Sequence, residues 1–374
     1  MRKPRHGQDI AFFGSSLVSA YWNGAATYYR GLLRALAERG HRITFYEPDA
    51  FERQKHRDID DPPWARVVVY SAKGQGGVRS ALRRARRADL VVKASGVGVF
   101  DELLEEAVAE MTAAGTTTVF WDVDAPATLD RVQSDPADPF RRLIPRYDLV
   151  LTYGGGRPVV DAYRALGARD CVPIYNALDP TTHHPAHPDR RFDADLGFLG
   201  NRLPDREARV EEFFFKPARE LPGRRFLLGG SGWEDKAMPE SVHYVGHVYT
   251  ADHNAFNCTP RAVLDLHRQP TRYGISPSPR IFEAAGAGAC IFSEPWDGMD
   301  RFLEPDDEVV VIDCAEELAD VLHGLSPARA ASIGERARQR MLAEHPYMHR
   351  AIEIEAALEP APRWSHRRLS PRAR

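Results

Sequence analysis

Ser278-Pro279-Arg280-Ile281-Phe282-Glu283 is a stretch that could hold an anion and a diol side by side. Serine suits the residue just before a helix, and proline suits the first helical position, where its missing N–H costs nothing. A helix starting here aims its open backbone N–H groups and the positive end of its dipole at whatever lies in front of it, and a phosphate fits that end. Arg280 and Glu283 stand three apart and share a helical face. The guanidinium offers a fork to phosphate oxygens, and the carboxylate offers two acceptor oxygens to a ribose diol. A nucleoside diphosphate needs both.

The same segment resembles the donor-binding block of the CgeB-like (spore-maturation) glycosyltransferases, an Arg-x-Phe-Glu-Ala-x-x-x-Gly pattern followed by a small strand and a Trp-x-Gly turn. Arg280, Phe282, Glu283, Ala284, Gly288, Trp296 and Gly298 match it. The resemblance extends more loosely to Trp121–Pro126 and to Val172–Asp179 followed by His184-Pro185, and covers most of residues 9 to 345. It implies a GT-B enzyme that moves a sugar from a nucleotide diphosphate sugar to an acceptor, with that co-substrate and no other cofactor. It leans toward retention of configuration. Related enzymes often carry a second Glu eight residues before the ribose Glu, where this chain has Ile275. It also implies a donor-lining loop at Gly230-Ser231-Gly232, and Gly200-Asn201-Arg202 resembles a Gly-Arg phosphate contact, Arg202 otherwise being an exposed loop arginine. His253-Asn254 and Asn257 are further polar candidates for the donor, or surface loop.

On the acceptor side, Asn23-Gly24 opens a helix after the first strand, Asn23 being a cleft residue, an N-cap or both. Tyr153-Gly154 follows another first-half strand. Asp122-Val123-Asp124 mimics the Asp-x-Asp metal motif, yet it closes a strand far in sequence from the nucleotide block, so no metal is assigned to it. Asp124, with Asp122 beside it, is a candidate catalytic carboxylate near the acceptor hydroxyl, with a helix cap before Pro126 as the alternative. Arg280 is the third catalytic candidate, stabilising the departing diphosphate. A sugar-nucleotide epimerase of the same fold, or a homologue that binds without turnover, would share these features.

To position such residues the chain must supply strand ends and helix starts in alternation, and it does. Apolar runs at 9–14, 42–46, 66–71, 89–93, 117–121 and 148–152 alternate with helical periodicity over Ala25 to Arg39, stopped by Gly40, and Asp101 to Ala114, stopped by Gly115. The pattern restarts at Asp195–Gly200, with a helix over Asp205 to Leu221, strands at Arg225 to Leu228, Ala262 to Leu266, 289–292 and 309–312, and a helical period over 328–357. Alternation of this kind predicts two facing Rossmann-like, doubly wound parallel α/β sheets, and the resemblance adds a last helix crossing back. The expected division is residues 1–178 on the acceptor side, a Pro- and His-rich solvated linker at 179–190, a donor half at 191–345, the crossing helix at 346–358 and a basic, disordered tail at 359–374. His183, His184 and His187 lack a partner at metal-ligand spacing.

Composition narrows the classes further. At 374 residues the chain suits two domains, and 50 basic against 53 acidic residues give no global field for nucleic acid or an anionic membrane. Met1-Arg2-Lys3 followed by Ile10–Phe13 mimics a signal peptide, but His6 and Asp9 interrupt it, and a first buried strand is the better reading. No run approaches the ~20 apolar residues of a membrane helix. Four widely spaced cysteines without a Cys-x-x-Cys pair fit a reduced, cytoplasmic compartment. Gly-x-Gly-x-x-Gly, Walker, Gly-x-Ser-x-Gly and His-Glu-x-x-His motifs are missing in suitable context, which weakens dehydrogenase, kinase and hydrolase readings. Oligomeric state is not legible.

Overall fold

Runs such as Ile10 to Phe13 and Phe226 to Leu228 have no polar face, and such runs belong in parallel sheets covered on both sides. The computed structural model, which describes residues 7–21, 23–112, 115–204, 206–267, 273 and 277–359, places them so. The first half has strands β1 (Asp9–Phe13), β2 (Arg42–Asp49), β3 (Ala65–Ser71), β4 (Leu90–Ala94), β5 (Thr117–Asp122), β6 (Leu149–Thr152) and β7 (Cys171–Pro173). Helices α1 (Ala26–Glu38), α2 (Gly76–Ala85), α3 (Asp101–Met111), α4 (Ala125–Ser134) and α5 (Gly156–Ala165) join them. The strands are all parallel, in the order β3-β2-β1-β4-β5-β6-β7.

The second half repeats the plan with β8 (Leu196–Leu199), β9 (Phe226–Gly229), β10 (Val242–Tyr244), β11 (Ala262–Asp265), β12 (Ile291–Ser293) and β13 (Val310–Val311). Its helices are α6 (Glu207–Val210), α7 (Lys216–Glu220), α8 (His253–Cys258), α9 (Pro279–Gly286), α10 (Ala315–Gly324) and α11 (Pro327–Glu344), and α12 (Tyr347–Leu358) is the last helix among the described residues. The parallel order here is β10-β9-β8-β11-β12-β13. Strand order reverses between β1 and β4 in one sheet and between β8 and β11 in the other. Loops leaving the carboxyl ends of such strands diverge and leave a crevice, the place where open α/β sheets bind ligands.

Two expected helices are broken, each for a local reason. The predicted helix from Asp205 to Leu221 has a π-turn over Glu211–Phe215 between α6 and α7. Phe213, Phe214 and Phe215 are all buried, and the wider turn brings three consecutive rings toward one core. Pro217, which cannot donate to the carbonyl four residues back, follows directly. The period over 328–357 splits at His345-Pro346, where a residue before proline is pushed out of the helical region, and His345 has φ −125° and ψ 30°.

That break turns α12 back onto α1. Tyr347, Ala351, Ile354 and Leu358 join the core of the first sheet beside Tyr28, Leu32 and Leu36. Tyr347 lies so close to α1 that a Cβ on Gly31 would sit 2.1 Å from its ring. Tyr347 Oη hydrogen-bonds Asn176 Oδ1, Arg350 Nε donates to the Asn176 carbonyl at 3.3 Å, and Leu178 N donates to His345 O at 2.8 Å. The crossing is therefore stitched to the chain segment that passes between the halves. Residues 1–6 and the basic tail from 360 onward lie outside the described residues.

Candidate functional site

A cleft of about 380 Å³ opens at the switch point of the second sheet. Its walls are Gly200 and Asn201 after β8, Gly230 after β9, Asp265 at the end of β11 and the first turn of α9, while Gly24 and Thr27, around the start of α1, close it from the first half. Gly230 has φ +121°, and a Cβ there would lie 2.2 Å from the Gly200 carbonyl oxygen. Only glycine lets the two loops approach this closely.

Ser278 stands at the N-cap of α9 with extended backbone, as its type predicts, but its side chain does not cap. Instead Ser278 Oγ donates to Asp265 Oδ1 at 2.6 Å. The start of α9 is thus left without a side-chain acceptor and faces the cleft, the arrangement that suits an incoming anion. Arg280 Nη1 is 3.5 Å from Glu283 Oε2, and that nitrogen is buried without a hydrogen-bond partner among the described residues. A buried guanidinium nitrogen with a spare donor is costly unless a ligand completes it.

Glu283 is held as the anion. Burial alone would raise its carboxyl, but the Arg280 guanidinium, with smaller pulls from His183 and His253, brings it below the ordinary carboxylate range. Burial depresses both imidazoles in turn. His253 lines the cleft and its Nε2 lies 3.2 Å from the Val248 carbonyl. His183, expected in a solvated linker, is buried instead beside the Glu283 carboxylate. A linker histidine folded under a helix has no periodic signature. Asp265 also escaped the sequence reading. It is 3 % exposed, with Oδ2 3.5 Å from Nε2 of the equally buried His267, whose imidazole burial depresses.

Several expected residues lie elsewhere. Arg202 is turned from the cleft, with Nε and Nη2 on Glu207 and Nη1 on Asp235, each at 2.8 Å, and its plane over Trp233. Arg206, four residues on and at the N-cap of α6, lines the cleft in its place and donates through Nη2 to Asn201 O at 2.7 Å. Ser231 and Gly232 form the turn behind Gly230, where Ser231 N donates to Asn201 Oδ1 at 3.0 Å. Asn257 is buried within α8, off the cleft wall. Ile275 lies outside the described residues.

In the first half Gly24 reaches the cleft, whereas Asn23 is buried beneath it. Asn23 does not cap α1. It accepts from Ser15 Oγ at 2.8 Å and donates to the carbonyls of Ser16 and Ser19, pinning the loop after β1. Asp122 is fully buried: Oδ1 accepts from Asp124 N and Thr128 Oγ1, and Oδ2 accepts from Tyr163 Oη. Burial raises its carboxyl despite these donors. It anchors the turn between β5 and α4 and cannot reach a substrate, which corrects its assignment as catalytic. Asp124 is exposed at the N-cap of α4 and makes no capping bond, so its carboxylate stays available at the carboxyl edge of the first sheet. Tyr153 packs edge-on against Tyr28 at 4.9 Å, burying its hydroxyl, and Gly154 has φ +74°. The next residues, Gly155 and Gly156, line a smaller cavity of about 190 Å³ shared with Tyr175, Trp296 and Phe302.

Residues 206–356 match the family model described as Glycosyl transferase-like. No curated relative matches the chain by sequence. Among solved structures, sucrose-phosphate synthase from Thermosynechococcus elongatus is 14 % identical with a TM-score of 0.64, covering 93 % of this chain and 98 % of that one. Anabaena Alr3699/HepE in complex with UDP and glucose is 16 % identical with a TM-score of 0.66, over 94 % and 99 % of the two chains. An alpha-glucosyltransferase in complex with UDP and a 13-mer DNA is 11 % identical with a TM-score of 0.67, again over 94 % and 99 %. The chain thus has the GT-B fold of these glycosyltransferases, with a glycosyl transferase-like domain over residues 206–356.

Proposed function

We propose that the protein is a glycosyltransferase that moves a sugar from a nucleoside diphosphate sugar, UDP-sugars first among them, to an acceptor entering from the first sheet. The observation that carries this reading is the start of α9: an uncapped helix end, a buried Arg280 nitrogen with a spare donor, and an ionised Glu283 one turn on, all at one cleft wall. Glu283 holds the ribose diol, and the helix start with Arg280 receives the charge that grows on the departing diphosphate. Asp124 orients or deprotonates the acceptor hydroxyl. The pattern from Arg280 to Gly298 supports placement with the CgeB-like group, transfer with retention, and diphosphate stabilisation by Arg280 and the helix dipole without an obligatory divalent ion.

Thermal-shift titration with UDP and other nucleoside diphosphates tests the binding half of the reading. A ligand at a hundred times its Kd adds ~2.7 kcal/mol of stability. No shift with any nucleoside diphosphate would remove the donor assignment. Release of UDP from UDP-sugars, measured with and without EDTA, tests the chemistry. Turnover that survives chelation is expected, and turnover restored only by Mg²⁺ or Mn²⁺ would move the diphosphate chemistry away from Arg280. The anomeric configuration of the product, read by NMR, decides retention. A new sugar-nucleotide isomer formed without acceptor would identify an epimerase instead.

A further inference from the structure

Residues 62–88 contain Arg66, Lys73, Arg79, Arg83, Arg84, Arg86 and Arg87 and not one Asp or Glu, in a chain whose acids otherwise outnumber its bases. All seven side chains are exposed. Several exposed arginines elsewhere sit on carboxylates, as Arg42 does on Asp9 and Arg219 on Glu211. None of these seven has a carboxylate partner among the described residues, and Arg79 reaches only Gln75. A last-turn pair such as Arg83 and Arg84 is ordinary service to a helix dipole. Seven cations without a carboxylate partner among the described residues, in one short stretch, exceed that service.

The opposite face of α2 is committed: Val78, Ala81, Leu82 and Ala85 are buried in the core of the first half. The helix is therefore fixed in place, with no apolar side left to insert into anything. Between Arg66 on β3, Arg84 in the last turn of α2 and Arg87 just past it runs a groove of about 490 Å³. Asp9 on its rim is neutralised by Arg42 at 2.6 Å. Arginine forks converging on a groove suit phosphate groups, and clusters of four to eight basic residues on a helix suit an anionic bilayer. Among the described residues no exposed aromatic stands beside these cations to stack on a nucleic-acid base.

We propose that this face docks on an anionic phospholipid surface, the Arg66–Arg84–Arg87 groove taking headgroup phosphates and the outer row of α2 following the charge of the bilayer. Arg66 lies near the amino end of β3, away from the carboxyl edge that carries the cleft, so a docked molecule keeps its cleft open to solution. The inference stands apart from the glycosyltransferase reading, because it concerns a different face.

The test is co-sedimentation of the full chain with phosphatidylcholine vesicles, with and without phosphatidylglycerol. Binding is expected only with the anionic lipid at low salt, and is expected to vanish near 1 M salt, where the screening length falls to about 3 Å. Arg83→Gln/Arg84→Gln/Arg86→Gln/Arg87→Gln should weaken partitioning by about fivefold for each arginine removed. Arg164→Gln/Arg169→Gln, exposed arginines of the same half that are already ion-paired, should leave it unchanged. Circular dichroism confirms that both variants fold. Absence of partitioning at low salt, partitioning indifferent to the quadruple change, or displacement from vesicles by equal charge of duplex DNA would each overturn the proposal.

Discussion

Glu283→Ala with a ribose-altered ligand is the sharpest trial of the donor cleft. Glu283 is 16 % exposed and ionised, so a hydrogen bond from a ribose hydroxyl to it is charge-assisted and largely dry. Such bonds contribute about 1.5–3 kcal/mol, and their loss weakens UDP by roughly ten- to a hundredfold. A complication sits 3.5 Å away, because removing the carboxylate also frees Arg280 for the diphosphate and can return part of the loss. The comparison that isolates the ribose contact is therefore a cycle: UDP against 2′-deoxy-UDP, each on wild type and Glu283→Ala, by titration calorimetry. Wild type should prefer UDP by about tenfold or more, and the variant should bind both nearly alike. A preference for UDP that persists undiminished in the folded variant would place the ribose elsewhere.

Other consequences are checked as directly. Arg280→Ala should lower the maximal rate of transfer more than it weakens UDP, since its charge matters most when the leaving group develops its own; a change confined to UDP affinity would contradict that role. Asp124→Asn should leave UDP affinity within about twofold and cut transfer by roughly 10²–10⁴, whereas Asp122→Asn should show its effect as a stability loss of about 1–3 kcal/mol in denaturant titration. Gly31→Ala forces a methyl against the Tyr347 ring and should cost about 1–3 kcal/mol, seen as earlier loss of α12 in hydrogen exchange. His345, pushed down to about 4 by burial and then by Arg350, is neutral in the fold and protonates more readily unfolded. Its share of stability is intact above pH 6.5 and drains away between about 6.5 and 4, and His345→Gln should flatten that stretch of the stability curve.

The alternation of buried strands and stopped helices was readable because parallel sheets demand continuous apolar runs, and every strand expected from residues 9 to 312 has a counterpart within a few residues. Short elements such as β7 and β10, three residues each, carry too little pattern to show. At the site, Ser278, Arg280 and Glu283 were legible because one helix turn brings them together, so spacing is geometry. Arg202 and Arg206 show the limit. Both are arginines after β8, and which one faces the cleft depends on Glu207 and Asp235 claiming the first, a contact partly from 33 residues away in sequence. Asp122 and Asp124 likewise part ways over two residues, the first ending β5 and the second standing at the N-cap of α4, and the buried Tyr163 hydroxyl that claims Asp122 comes from another helix.

The return of α12 to the first sheet ties an early stretch of the chain to a late one, and this orders events on the ribosome. Ala177 closes the first half's own contribution to its core, yet Tyr347, Ala351 and Ile354 complete that core only after the whole second sheet has been made. At ~5–20 residues per second the wait is roughly ten to thirty-five seconds. Through that interval Tyr28, Leu32 and Leu36 present an unfinished apolar face, while the second sheet emerges next to it with apolar surfaces of its own. The nascent protein thus holds a vacancy open for α12, and a chaperone that recognises exposed apolar helices has a defined window in which to occupy it.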